Sequence, residues 1–139
     1  MYHKLIIVGN LGAEPSMRYT PSGTPVTNFS VATNRKWTNA DGTPGEQVVW
    51  FRVAAWGRMA EVCNQYLTKG RQVLVEGTLT PDPETGAPRV WTRGDGTAGA
   101  SFEVRAETVK FLGKGNGNGQ AVSDASDAPT EDDDEEMPF

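Results

Sequence analysis

"VVWFRVAAWGR", residues 48–58, decides the fold. In a strand, successive side chains point to opposite faces, so Val49, Phe51, Val53 and Ala55 share one face and Trp50, Arg52, Ala54 and Trp56 the other. The odd set is purely apolar and suits a core. The even set places a guanidinium between two indoles. Buried, that cation would need a partner in the protein interior, whereas facing outward the same residues form an aromatic and basic surface. The stretch therefore reads as a strand of a small β domain with one face in the core and the other offered to something outside it.

On either side lie segments of the same kind. Runs rich in β-branched and aromatic residues at Tyr2–Asn10, Pro25–Trp37, Glu46–Trp56, Gln72–Thr80 and Ser101–Phe111 predict five strands. Between the third and fourth, "GRMAEVCNQYLTKG" (57–70) places Met59, Val62, Cys63, Tyr66 and Leu67 at the spacing of one apolar helical face. Gly70 after Lys69 reads as the helix stop, with the lysine set against the helix dipole. "EPSMRYTPSGTP" (14–25) and "TNADGTPG" (38–45) read as loops. "PDPETGAPRVWTRGDGTAGA" (81–100) reads as a long protruding arm, since its three early prolines exclude a central strand and Asp95-Gly96 favours a tight turn. Trp91 and Arg93 are then expected far from the core. The order β-β-β-α-β-β with two long loops is that of a five-stranded OB barrel, all-β with one helix, whose binding face and flanking loops take oligonucleotides.

The chain has 139 residues, enough for one domain with a real core. Its net charge of −5 averages two unlike parts. Residues 1–113 hold 12 Lys+Arg against 10 Asp+Glu, whereas residues 120–139 hold 8 acids and no base. A mildly basic body can bind a polyanion where its cations cluster, because the local field outweighs the total. From residue 113, "GKGNGNGQAVSDASDAPTEDDDEE" lacks aromatics and bulky aliphatics, too little apolar surface to offset the entropy of ordering. Three regions are thus expected: a barrel over 1–112, a disordered Gly/polar linker over 113–130, and an acidic tip over 131–139. Six consecutive acids, Glu131 to Glu136, lead into Met137, Pro138 and Phe139. An apolar side chain beside a carboxylate suits a pocket with a basic rim, so Asp132, Asp133, Asp134, Glu135, Glu136, Met137, Pro138 and Phe139 read as a docking tip for protein partners.

Catalytic patterns are missing from the text: no Gly-x-Ser-x-Gly, no Gly-Lys-Ser/Thr, no His-Glu-x-x-His. With one Cys (Cys63) and one His (His3), neither a disulfide framework nor a zinc site from this chain alone is expected, and no cofactor is implied. No apolar run approaches a membrane span and the N-terminus lacks secretory organisation, so a cytoplasmic, nucleoid-associated protein is expected. Binding single-stranded nucleic acid needs only aromatic planes for bases and cations for phosphates. Trp37, Trp50, Trp56 and Trp91 supply the planes, and each has a Lys or Arg within two residues: Arg35 and Lys36, Arg52, Arg58, and Arg89 and Arg93. Lys4, Arg18, Lys69 and Arg71 are further groove candidates. Two other readings share these features, an OB-fold RNA-binding or chaperone protein and a structural interaction barrel using Trp50 and Trp56 in an interface.

"VGNLGAEPSMRYTPSGTPVTNFSVAT" (8–33), "WFRVAAWGRMAEVCNQYLTKGRQVLVEGTL" (50–79) and the acidic tip ending Pro-Phe resemble the bacterial-type single-stranded DNA-binding proteins. The resemblance implies an OB fold, a homotetramer, sequence-independent wrapping of single-stranded DNA, and a tip that recruits replication, repair and recombination proteins. Trp37, Trp50 and Trp56 match that family's stacking aromatics, and Lys4, Arg18, Arg52, Arg58 and Lys69 match basic positions along its DNA path. The chain departs from the pattern in three places: the extra "PDPETGAP" (81–88) before Trp91, Phe51 where His is frequent, and Glu135, Glu136 and Met137 where Asp and an aliphatic are usual.

Overall fold

A computed structural model describes residues 1–114. The linker beyond Lys114 and the acidic tip lie outside the described residues. Within them the order is β1 (Leu5–Leu11), β2 (Ser16–Tyr19), β3 (Pro25–Thr38), β4 (Pro44–Trp56), α1 (Arg58–Tyr66), β5 (Arg71–Leu79), β6 (Val90–Thr92), β7 (Ala98–Ala100) and β8 (Phe102–Lys114). All five expected strands form, with a single helix between the third and fourth of them.

The parity of residues 49–56 holds. Val53 and Ala55 are buried and Phe51 packs against the core, while Trp50 and Arg52 are exposed on the other face. β4 pairs antiparallel with β3 from Val26↔Trp56 to Thr38↔Pro44 and parallel with β8 from Phe51↔Phe102 to Ala54↔Arg105. β8 pairs antiparallel with β5, β5 with β1, and β1 returns to β3 through Asn10↔Ala32 and Leu11↔Val31. That last contact closes a five-stranded barrel. Gly9 permits it: a Cβ there would run into the Ala32 carbonyl oxygen and lie 2.8 Å from Val31 Cγ1. The core inside is mainly aliphatic, with Ile7, Leu11, Val31, Val53, Val73, Val75, Val104 and Val109 around the aromatic ring of Phe29.

The helix places Cys63 against that core, Leu67 just after it packs there too, and buried Thr27 on β3 donates its hydroxyl to the Ala60 carbonyl at 2.6 Å. Its expected stop is corrected. The helix ends at Tyr66, Leu67 is already extended at φ −82° and ψ 141°, and no basic residue occupies the last turn. Leu67 leaves the helix because its side chain is drawn into the barrel core. Gly70, at φ +87°, instead turns the chain into β5, its N–H bonded to the Leu11 carbonyl at 2.9 Å.

Two further differences concern segments read as loops. Ser16–Tyr19 forms a short edge strand paired with β3, because Pro15 and Pro21 flank it without interrupting it. The arm contains its own hairpin, β6 with β7, closed around Asp95-Gly96. No helix among the described residues is long and apolar enough to cross a membrane.

Candidate nucleic-acid interface

On the outward face of β4, the cross-strand neighbours on β3 are small: Ala32 opposite Trp50, Ser30 opposite Arg52, and Asn28 opposite Ala54. Large flat side chains thus stand beside short ones, which leaves the indoles accessible. Trp50 is 51% exposed. Its six-membered ring lies over Gly12, where a Cβ would come 2.7 Å from Trp50 Cη2, so the β1 exit loop fixes the ring from beneath.

Trp56, at the end of the strand, is half-buried beside a groove of about 730 Å³. Arg18 of β2, Arg52 of β4, Arg89 and Trp91 of the arm, and Arg105 of β8 line the same groove. The arm therefore folds back: Trp91 stands outside the core and lines the same groove as Trp56. Arg105 stacks its guanidinium 4.9 Å from the Trp56 ring centroid, a cation–π contact. The acid within the groove lining, Glu103, pairs with Arg89 at 3.8 Å. Four arginines against one carboxylate make this a site of positive potential on a chain of net negative charge.

Trp37 belongs to a different surface. β3 and β4 run on past the barrel as a two-stranded ribbon in which residues 34–44 and 46–48 are exposed. Trp37 pairs with Gly45, on the face opposite to Trp50's. Its indole N–H donates to Asn39 Oδ1 at 2.8 Å, and the Arg35 guanidinium lies 5.0 Å from the ring centroid. Lys36 pairs loosely with Glu46 at 3.9 Å, both well exposed. Arg93, next to Trp91, donates to Thr97 Oγ1 at 3.4 Å and to the Ala98 carbonyl.

The other basic candidates sit elsewhere. Lys4 Nζ lies between Glu107 at 3.4 Å and Glu76 at 3.7 Å on the β1–β5–β8 side, and the Glu107 hydrogen bond, then other nearby charges, hold its pKa above the usual lysine value. Lys69 follows the helix, its backbone N–H bonded to Glu14 Oε2 at 3.1 Å. Arg58 opens α1, and Arg71 donates to the Leu112 carbonyl at 3.4 Å. The structure thus gathers Trp56, Trp91, Arg18 and Arg52 in one groove, sets Trp50 on the same β4 face, and places Trp37, Arg35 and Lys36 on the ribbon.

Arg105 was not among the expected site residues. Alternation in "VRAE" (104–107) puts it outward between buried Val104 and Ala106, but only the parallel β4–β8 pairing brings it to Trp56. Cys63 is buried, and loss of solvent pushes its thiol up to about 12, so it is a core residue. Among the described residues no cluster of His, Cys, Asp and Glu fits a metal ion.

The chain resembles known proteins in sequence and fold. The single-stranded DNA-binding protein of Wolinella succinogenes is 38% identical over 112 residues, covering 81% of this chain and 65% of its own length, so the chain spans just under two thirds of that relative. Single-stranded DNA-binding protein 1 of Xylella fastidiosa is 38% identical over 117 residues, covering 84% of this chain and 81% of its own. The wild-type single-stranded DNA binding protein from Thermus aquaticus superposes with a TM-score of 0.59 at 32% identity, over 78% of this chain and 49% of that one. The Plasmodium falciparum SSB, solved in complex with ssDNA, superposes at 0.66 over 81% of this chain and 96% of its own; at 24% identity it speaks to the fold alone. The model of the single-strand binding protein family matches residues 2–112, all of the barrel and its arm but the last two residues of β8, and the chain belongs to that family.

Proposed function

We propose that this chain binds single-stranded DNA without regard to base sequence, stacking bases on its tryptophans and meeting phosphates with the groove arginines. What carries this is the outward face of β4, where a half-exposed indole held over Gly12 stands beside Arg52 and leads into a groove holding two more indoles and four arginines. Every base offers a π-face, so such a surface tolerates any sequence, and each stacked base contributes about 1–3 kcal/mol. No step of catalysis is assigned to it. Adding oligo-dT to the full chain while following tryptophan fluorescence tests the reading. Strong quenching, with oligo-rU and duplex DNA much weaker at matched salt, is expected. Absence of quenching by oligo-dT refutes it, and a preference for oligo-rU favours an RNA-binding role instead.

The proposed assembly is a homotetramer. In support, β1 from Leu5 to Gly9 pairs with β5 on one side and with no strand on the other among the described residues, and Ile6 and Val8 are exposed along it. An open edge with apolar side chains is the surface on which a second copy can continue the sheet. Light scattering on the eluting protein should give four times the 15.0 kDa chain mass. The acidic segment 131–139 is proposed to recruit replication, repair and recombination proteins in the cytoplasm, supported by its run of acids leading into Met137, Pro138 and Phe139.

A further inference from the structure

Residues 35–45, "RKWTNADGTPG", and 89–99, "RVWTRGDGTAG", are identical at seven of eleven positions. The same hairpin results from both. Asn39 N–H bonds to the Thr43 carbonyl at 2.8 Å, and Arg93 N–H to the Thr97 carbonyl at 2.7 Å. Gly42 N–H bonds to the Asn39 carbonyl at 2.9 Å, and Gly96 N–H to the Arg93 carbonyl at 2.9 Å. Gly42 and Gly96 have φ of +87° and +89°. Asp41 Oδ1 accepts from the Thr43 N–H at 3.0 Å and hydroxyl at 2.6 Å; Asp95 Oδ1 accepts from Thr97 at 3.0 and 2.7 Å.

Next to each turn a tryptophan faces a glycine across the strands: Trp37 opposite Gly45, and Trp91 opposite Gly99. A Cβ on Gly45 would lie 2.5 Å from Trp37 Nε1, and one on Gly99 would lie 2.8 Å from Trp91 Nε1 and Cε2. Each indole thus rests flat on bare backbone, where any other residue would lift it. A guanidinium attends each pair, Arg35 at 5.0 Å from the Trp37 centroid and Arg93 against Gly99, where a Cβ would lie 3.0 Å from its Cζ.

Covering a strand glycine with an aromatic is also a way to stabilise a sheet, and a purely structural pair is the competing account. The β2–β3 hairpin argues against it. That hairpin closes with the same backbone bonds, Thr20 N–H to Thr24 carbonyl at 2.9 Å and Gly23 N–H to Thr20 carbonyl at 2.8 Å, and Gly23 at φ +91°. At the equivalent place it carries Arg18 opposite Val26. The turn needs no Trp–Gly pair, so the pair in the other two hairpins calls for another reason.

We propose that 35–45 and 89–99 are two copies of one nucleobase-stacking module, in which Gly45 and Gly99 are positioning residues that seat the indoles of Trp37 and Trp91. This rests on the reading of the chain as a single-stranded DNA binder and specifies how that surface is built. One module stands on the ribbon beyond the barrel and the other on the groove wall, so the two stations serve different surfaces of the chain.

Neither glycine has positive φ, so alanine fits the backbone at both; it displaces the ring at Gly45, and at Gly99 the ring together with the far end of the flexible Arg93 side chain. In oligo-dT titrations of the full chain, Gly45→Ala and Gly99→Ala should each weaken binding about fivefold or more, the lower end of a lost base stack, with the salt dependence unchanged. With Trp37→Ala or Trp91→Ala already in place, the paired glycine change should cost less than about twofold, because no ring remains to displace. Glycine variants that bind like wild type, or that lose as much without the indole as with it, overturn the module. Should a glycine variant fail to fold, residues 37–45 installed at 91–99 serve instead: retained affinity supports equivalence, and a loss of about tenfold or more refutes it. Wild-type protein that ignores oligo-dT removes the DNA-binding reading itself, a separate outcome read before any variant is compared.

Discussion

Positions 50 and 52 share one face of one strand yet should respond to substitution in opposite ways, which separates stacking from charge. Trp50 is 51% exposed and rests on Gly12 outside the core, so Trp50→Ala leaves the core packing intact and the barrel folded. It should weaken oligo-dT binding by one lost stack, about 1–3 kcal/mol or roughly 5- to 150-fold, by the same factor at every salt concentration. Arg52→Gln should act through the salt dependence. Each contacted phosphate contributes about 0.7 to the slope of log affinity against log salt, so the four groove arginines together give a slope of about 2.8. A fourfold rise in salt then costs about 50-fold in wild type and, with the slope reduced to about 2.1, roughly 18-fold in Arg52→Gln. Fluorescence titrations at several salt concentrations measure both quantities on the same samples. A Trp50→Ala protein with a reduced slope, or an Arg52→Gln protein with the wild-type slope, would refute the division of labour assigned to this face.

Gly9→Ala should destabilise the protein by about 1–3 kcal/mol or more in urea unfolding, because its Cβ meets the Ala32 carbonyl, part of the strand that closes the barrel. Asp41 and Asp95 are held below the usual aspartate range chiefly by the Thr43 and Thr97 hydroxyls. The ionised form therefore favours both turns: their contribution is complete above pH 3.8 and is lost as pH falls through the lowered values, which indole N–H resonances of Trp37 and Trp91 should report. Asp41→Asn should remove that acid transition from the Trp37 signal alone. Cys63, its thiol raised to about 12 by burial, should resist alkylation at neutral pH until denaturant exposes it.

Strand parity made the outward face of β4 legible before any fold was known, since an arginine between two tryptophans would need a buried partner inside a core. The five main strands were equally plain, because each carries its own alternation or apolar run. What stayed hidden depends on contacts between distant segments. Arg105 reads as an outward strand residue, yet its partner Trp56 follows only from β8 lying parallel to β4. Lys4 reads as a groove cation; the pairing of β1 with β5 and of β5 with β8 sets it beside Glu76 and Glu107, which no local pattern shows. The helix stop was misplaced because Gly70 carries a stop signal that local spacing cannot distinguish from a turn three residues farther on. The second hairpin was visible as turn residues, whereas the return of Trp91 to the groove required the tertiary fold.

The register of the ribbon constrains how one strand of nucleic acid can reach all four indoles. Trp50 and Trp37 project from opposite faces, and Gly45, beneath Trp37, lies five residues from Trp50 along β4, about 17 Å at the rise of an extended strand. A straight ligand on one face meets Trp50 and the groove but misses Trp37. Contact with both requires the ligand to turn around the edge of the ribbon, past Lys36 and Glu46, whose loose pair at 3.9 Å is exposed and easily exchanged for a phosphate. A flexible single strand can make that turn, whereas duplex DNA, stiff over about 150 base pairs, cannot. On the proposed stacking, discrimination between single and double strands would come from where the rings are placed as much as from what they stack upon. Shortening oligo-dT until it can no longer round the ribbon should abolish the Trp37 contribution while preserving that of Trp50, so Trp37→Ala would stop mattering below a threshold length at which Trp50→Ala still does.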